Sequence, residues 1–198
     1  MPVLFDSTAQ GTTLVAGGSA SGSKTITHRV STFARDRVVA YVWVLWTGAV
    51  DVSGATFSAT FGGESMTLIG SRTWDSTRAK FMCFKLEDAP RGSQAVVVSF
   101  ASMPTELITR NLHVISETYS GVEAVADAVT AGGSNTTVNT VTTASVKPAH
   151  RVASGHAIGE WGALSAYTLT KRQATMMLGG GAMVVGDAPG AASVVSTA

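Results

Sequence analysis

Among its 198 residues the chain has one cysteine, Cys83. A lone thiol excludes an internal disulfide and any multi-cysteine zinc site. Its setting, Phe81-Met82-Cys83-Phe84, marks a buried, inert thiol rather than a nucleophile. Charge is scarce too: 14% of residues are Asp, Glu, Lys or Arg, against about 25% in an ordinary globular domain. A net charge of +1 with no run of like charges leaves no basic stripe for a phosphate backbone, so nucleic acid is not an expected partner. Long hydrophobic runs are missing. The longest, Val38 to Trp46, is nine residues, about half of a membrane-crossing helix, so no membrane insertion is expected. The opening Met1-Pro2-Val3-Leu4-Phe5-Asp6 lacks the basic and long apolar regions of a secretory signal, which implies an unprocessed protein made in the cytoplasm.

Helix signals are nearly absent as well. What fills the chain is β-branched and aromatic runs separated by Gly, Ser, Asn, Asp and Pro, about eleven candidate strands, the signature of a sandwich or barrel. A chain of this size buries roughly 70% of its unfolded surface, enough for one core without metals or disulfides. In Lys24–Val30, Ile26, His28 and Val30 share one face while Thr25, Thr27 and Arg29 share the other, a strand with one side in water. Arg37 to Trp46 is apolar on both faces and reads as a central strand covered twice. Two β-runs flank Gly62-Gly63 and predict a hairpin, because only glycine takes positive φ without strain. Val122 to Val129 alone has helical character. The expected fold is all-β: a single antiparallel, jelly-roll-like sandwich over 23–198, preceded by a flexible, extended N-terminal arm over 1–22.

Chemistry is harder to find. His28, His113, His150 and His156 have no metal-site spacing. A His156/Glu160 pair would still need further ligands. No Gly-x-Ser-x-Gly elbow is present, and Gly179-Gly180-Gly181 is followed by neither the Lys nor the helix of a phosphate loop. Two acid–aromatic neighbours stand out, Trp74-Asp75 and Glu160-Trp161. Facing carboxylates would suit a glycosidase, and a ring beside an acid suits a sugar-binding platform. The plain alternative is a core or rim tryptophan beside a solvated acid. No cofactor, metal or catalytic residue is expected, so the sequence reads as a non-enzyme.

From Thr25 to Gly121 the order of motifs is distinctive: Thr25-Ile26-Thr27-His28, the strand after Arg37, then Phe61-Gly62-Gly63-Glu64-Ser65-Met66-Thr67-Leu68-Ile69-Gly70. A strand around Met82, the turn Pro90-Arg91-Gly92, Val96-Val97-Val98-Ser99-Phe100 and Ser116-Glu117-Thr118-Tyr119-Ser120-Gly121-Val122 follow. This stretch resembles the β-sandwich module of small actinobacteriophage virion proteins, often called minor tail proteins, with relatives among bacterial surface proteins. Arg151 to Gly190 is similar only in style. The resemblance implies a structural virion component that assembles with other tail or capsid proteins and with copies of itself. It carries no catalytic or metal residues, and it implies that Tyr119 lies in the core and Gly121 leaves the strand. Within this reading Val3, Leu4 and Phe5 are the candidate assembly arm. Trp74, Trp161, Asp75 and Glu160 are the candidate platform of a lectin-like module that recognises a host-surface glycan. A capsid decoration protein is the remaining alternative.

Overall fold

A computed structural model describes residues 3–15, 18–33, 37–48, 51–74, 78–105, 110–122, 140–144, 151–158, 169–176, 182–189 and 193–197. Among them are fourteen strands and no helix. Nine strands build the first part: β1 (Leu4–Val15), β2 (Gly22–Val30), β3 (Val38–Thr47), β4 (Thr56–Phe61), β5 (Glu64–Ser65), β6 (Thr67–Trp74), β7 (Ala79–Glu87), β8 (Gly92–Ala101) and β9 (Arg110–Ser120). They form a five-stranded sheet, β1-β9-β3-β7-β6, facing a four-stranded sheet, β2-β8-β4-β5. The pairs β1–β9, β2–β8, β3–β7 and β4–β5 are nested and antiparallel. Partners such as Leu4 and Ser120, Lys24 and Val98, Val42 and Phe84, or Thr60 and Ser65 are each centred within about two residues of Gly62-Gly63. The first part is therefore one long hairpin, folded over so that successive pairs fall alternately in two sheets: a jelly roll. Its tip is the expected glycine turn, where Gly62 and Gly63 have φ of 60° and 89°, conformations that strain any residue bearing a Cβ.

The strand expected to be covered twice is β3. Val38, Ala40, Val42, Val44 and Trp46 project into the sandwich interior and meet Ile26, Val30, Phe61, Val96, Val98 and Phe100. Val39, Tyr41, Trp43 and Leu45 project the other way. The cover on that side comes from the C-terminal part: β11 (Arg151–Ile158), β12 (Thr170–Met176) and β13 (Ala182–Pro189), a three-stranded sheet ordered β11-β13-β12. Met183 and Val185 of β13 pack on Trp43, Leu45, Cys83 and Ile115. The protein is thus layered sheet on sheet on sheet here, one layer more than a single sandwich. Two further strands, β10 (Thr140–Ala144) and β14 (Ser193–Thr197), pair with each other.

The N-terminal segment also differs from its expectation as a flexible arm. Leu4–Val15 runs the length of β9 as an edge strand of the five-stranded sheet, with one bulge between Phe5 and Ser7. The reason is pairing: small Thr, Ser, Ala and Gly side chains carry little strand signal of their own, but β9 offers eleven residues of backbone to bond. The helix expected at 122–129 falls almost wholly outside the described residues.

Candidate functional site

The expected platform is only partly described. Trp74 is the last residue of β6, at the outer edge of the five-stranded sheet, where it pairs with Ala79 across the β6–β7 hairpin. Asp75, Glu160 and Trp161 lie outside the described residues. The three arm residues are placed and they divide. Val3 and Phe5 pack against Val39, Tyr119 and Val122, while Leu4 points outward at 55% exposure. Strand alternation causes the split, and it leaves one apolar side chain of the three free for a neighbour.

Two polar constellations, one on each face of β9, were not anticipated as units. On the sandwich-facing side Thr118 Oγ1 lies 3.2 Å from His28 Nε2, 2.9 Å from Ser7 Oγ and 3.1 Å from Asp6 Oδ2. Ser7 Oγ is 2.8 Å from His28 Nε2, and the Ser31 amide donates to Asp6 Oδ2 at 3.0 Å. Serine, histidine and aspartate meet here, yet not as a hydrolytic triad. In a triad the carboxylate orients the imidazole through Nδ1, whereas Asp6 receives the hydroxyls of Ser7 and Thr118 and His28 Nδ1 has no partner. His28 is wholly buried, and burial lowers its pKa to about 4, with Asp6 opposing. A neutral, inaccessible imidazole is a poor base. The cluster ties β1, β2 and β9 together at the corner of the sandwich. His113 does similar work on the outer face of β9: Nδ1 lies 2.8 Å from Thr12 Oγ1 of β1, and burial lowers its pKa to about 4.

The second constellation sits between the five-stranded sheet and the C-terminal sheet. Ile115, Glu117 and Tyr119 share the outer face of β9, so Glu117 is a carboxyl group in an apolar row. It is 0% exposed. Trp43 Nε1 donates to its Oε2 at 3.0 Å, and Oε1 makes no hydrogen bond. From β13 comes Asp187, also 0% exposed. Arg172 grips it twice, Nε to Oδ2 at 2.9 Å and Nη2 to Oδ1 at 3.0 Å, and Arg151 forms a further ion pair with it. The Arg172 guanidinium then lies 4.2 Å from the centroid of the Phe5 ring, a cation–π contact. Phe5 meets Tyr119 edge-on at 5.8 Å.

The electrostatics follow from who has a counter-charge. Burial raises the Glu117 pKa to about 8, and the negative Asp187 adds to the rise. The Trp43 hydrogen bond, the nearby Tyr119 hydroxyl and the charge of Arg172 oppose it. Its hydrogen bond to Asp187 pushes Arg172 up. Burial likewise raises the Tyr119 hydroxyl and the Cys83 thiol, so Cys83 is the inert thiol its neighbours in sequence suggest. Among the described residues no group of three or more His, Cys, Asp or Glu could hold a metal ion.

A signal for Glu117 existed, since alternation along His113–Tyr119 sets it between two core residues. Asp187 had none: Gly186-Asp187-Ala188-Pro189 has turn composition, yet it pairs with β11 over Arg151–Ser154. Compared with protein-family models, with curated proteins and with solved structures, the chain matches none.

Proposed function

We propose that the chain is a structural subunit of a bacteriophage virion, of the minor tail protein kind, and that it acts by assembly rather than catalysis. The observation that carries this reading is the outer face of the four-stranded sheet. Ser23, Thr25 and Thr27 of β2, Ala95, Val97 and Ser99 of β8, and Thr56, Ser58 and Thr60 of β4 line it in register. These nine outward positions are exposed or half-buried and uncharged, and the charge on this face, Arg29, stands at its end, where it pairs with Ser93. A soluble monomer usually scatters charge over such a face to keep neighbours away. A face of short side chains with its charge confined to one end suits packing against another subunit, as does the low charge of the whole chain. The jelly roll adds support by analogy of fold, since it recurs in viral capsid and lectin domains. The partners are other virion proteins and further copies of this chain, in the tail or as capsid decoration.

The test is to place charge on that face. Thr25→Lys with Ser58→Lys should leave the folded spectrum intact and abolish incorporation into particles or self-association measured by light scattering. Normal assembly of that variant would end the reading.

A lectin-like host-binding role is the second reading, favoured by Trp74 standing at a sheet edge. Trp74→Ala with Trp161→Ala should then abolish glycan binding on an array without unfolding the chain. Binding that survives would remove the platform.

A further inference from the structure

The layer made by the C-terminal sheet is held over the jelly roll by two different kinds of contact. Its centre is apolar, Met183 and Val185 on Trp43, Leu45, Cys83 and Ile115. Its rim is the Glu117–Tyr119–Asp187–Arg172–Arg151 cluster. In that rim the positive charge is unevenly shared. Every hydrogen bond that Arg172 and Arg151 make across the rim goes to Asp187. Glu117 has one donor, an uncharged indole N–H, and one oxygen without a hydrogen bond. A buried carboxylate so placed would be a charge without a counter-ion, which the low-dielectric interior strongly disfavours. A protonated Glu117 costs far less, and its Oε1–H becomes a donor beside the Tyr119 hydroxyl, which itself lacks a hydrogen bond.

We propose that this cluster is a proton-held latch: Glu117 must carry a proton for the C-terminal sheet to stay seated on the jelly roll, and losing that proton loosens the sheet. Every titratable or charged group facing Glu117 bears on the sign. Trp43 and Tyr41 come from β3, Cys83 from β7, Tyr119 from β9, Arg172 from β12 and Asp187 from β13. Arg151 of β11 reaches the cluster through Asp187. Only Arg172 among them favours the ionised form by charge. His156 and Lys171, the other titratable groups of the C-terminal sheet, pair with Val184 and Gly186 and so point away from the interface.

In the seated state Glu117 gives up its proton only near pH 8. Freed into water it would do so near 4.3. Seating therefore takes up a proton throughout that interval. It is strongest below about pH 4.3, weakens by up to about tenfold in equilibrium constant per pH unit above it, and levels off above about pH 8. The device is local, because the sandwich interior lies on the other face of the same strands.

The only cysteine in the chain reports on this interface. Cys83 is 7% exposed and belongs to the apolar cluster under Met183 and Val185, so a disulfide reagent reaches it when the sheet lifts. Labelling would be measured from pH 5.5 to 9 in the full chain, with each rate divided by that of the urea-unfolded chain at the same pH, which removes the intrinsic titration of the thiol. The normalised rate should climb up to about tenfold per pH unit and flatten above about pH 8. Glu117→Gln, which keeps the shape and never ionises, should show a low, flat rate. A Gln variant that climbs like the parent overturns the latch. Should Glu117→Gln fail to fold, Tyr119→Phe serves instead. It keeps the ring contacts but removes a hydroxyl that lowers the Glu117 pKa, so the point at which the rise levels off must move to higher pH. No movement, or movement to lower pH, also overturns the proposal.

Discussion

The two faces of β3 present the same kind of residue to two different neighbours. Toward the sandwich interior Trp46 is wholly buried, between Phe57 and Phe100 at centroid distances of 5.8 and 5.2 Å. Toward the C-terminal sheet Trp43 is 8% exposed, stacked on Phe81 at 5.8 Å, with its N–H given to a buried acid. The first face meets strands joined to it by nested pairing, so its cover forms as the hairpin rolls up. The second meets a sheet that begins after the hairpin has closed, and among the described residues no backbone ladder links that sheet to the jelly roll. Its cover depends on side chains alone. One face belongs to the fold, the other to a docking event.

The largest separation should come from truncating each ring. Trp46→Ala should cost about 3–5 kcal/mol, the range for a buried aromatic, and shift the whole denaturant transition. Trp43→Ala should leave the jelly-roll transition in place and expose Cys83 to labelling. A shared single transition for both variants would mean that the two regions are one cooperative unit.

Next in size is the charge at the rim. Asp187→Asn leaves Arg151 and Arg172 facing an interior without their counter-charge. Their side chains are 19% and 24% exposed, which softens a penalty of about 3–5 kcal/mol to the low end of that range. The loss should fall on the C-terminal sheet, read as faster Cys83 labelling with little change in the jelly-roll transition.

These contrasts show what the sequence could and could not reveal. Alternation in Lys24–Val30 located the single-sided strand, and the doubly apolar Arg37–Trp46 announced a layer on each face. The Gly62-Gly63 turn marked the centre about which the jelly roll is wound. Strand signals from hydrophobic period fail where the side chains are small and the reason for pairing is a distant partner, as in Leu4–Gln10. They fail again at Asp187, where turn-type residues continue a strand because β11 and β12 bond both of its edges. Glu117 was legible as an oddity of pattern but not as a partner of residues fifty-five or more positions later, since no local rule specifies which sheet covers which.

Acid should act on the jelly roll from the opposite direction to the latch. His28 and His113 have pKa values lowered to about 4 by burial, against about 6.5 in the unfolded chain. Below pH 6.5 the unfolded chain takes up protons that the folded chain refuses. The stability these residues contribute is complete above pH 6.5 and is lost as pH falls through 4. A loss of several kcal/mol is expected between those limits, from about 1.4 kcal/mol per pKa unit for each histidine, measured as a falling denaturant midpoint for the jelly-roll transition. Replacing both with glutamine should flatten that fall. An unchanged acid limb would shift responsibility to His156 on the other part of the chain.

The smallest effect probes the seat itself. Gly155 of β11 lies against Trp43 and Phe81, and a Cβ placed there would sit 2.5 Å from Trp43 Cε3 and 2.9 Å from Phe81 Cζ. Those ring atoms cannot retreat, because Trp43 is stacked on Phe81 and bonded to Glu117. The C-terminal sheet must move instead, and Gly155→Ala should cost toward the low end of the ~1–3 kcal/mol range for overpacking. Because no backbone bonds cross the interface among the described residues, the strain is relieved by lifting β11. The substitution should therefore raise Cys83 labelling at every pH by a constant factor, without altering the slope that Glu117 imposes. A change in slope would mean that the apolar seat and the proton latch are one device rather than two.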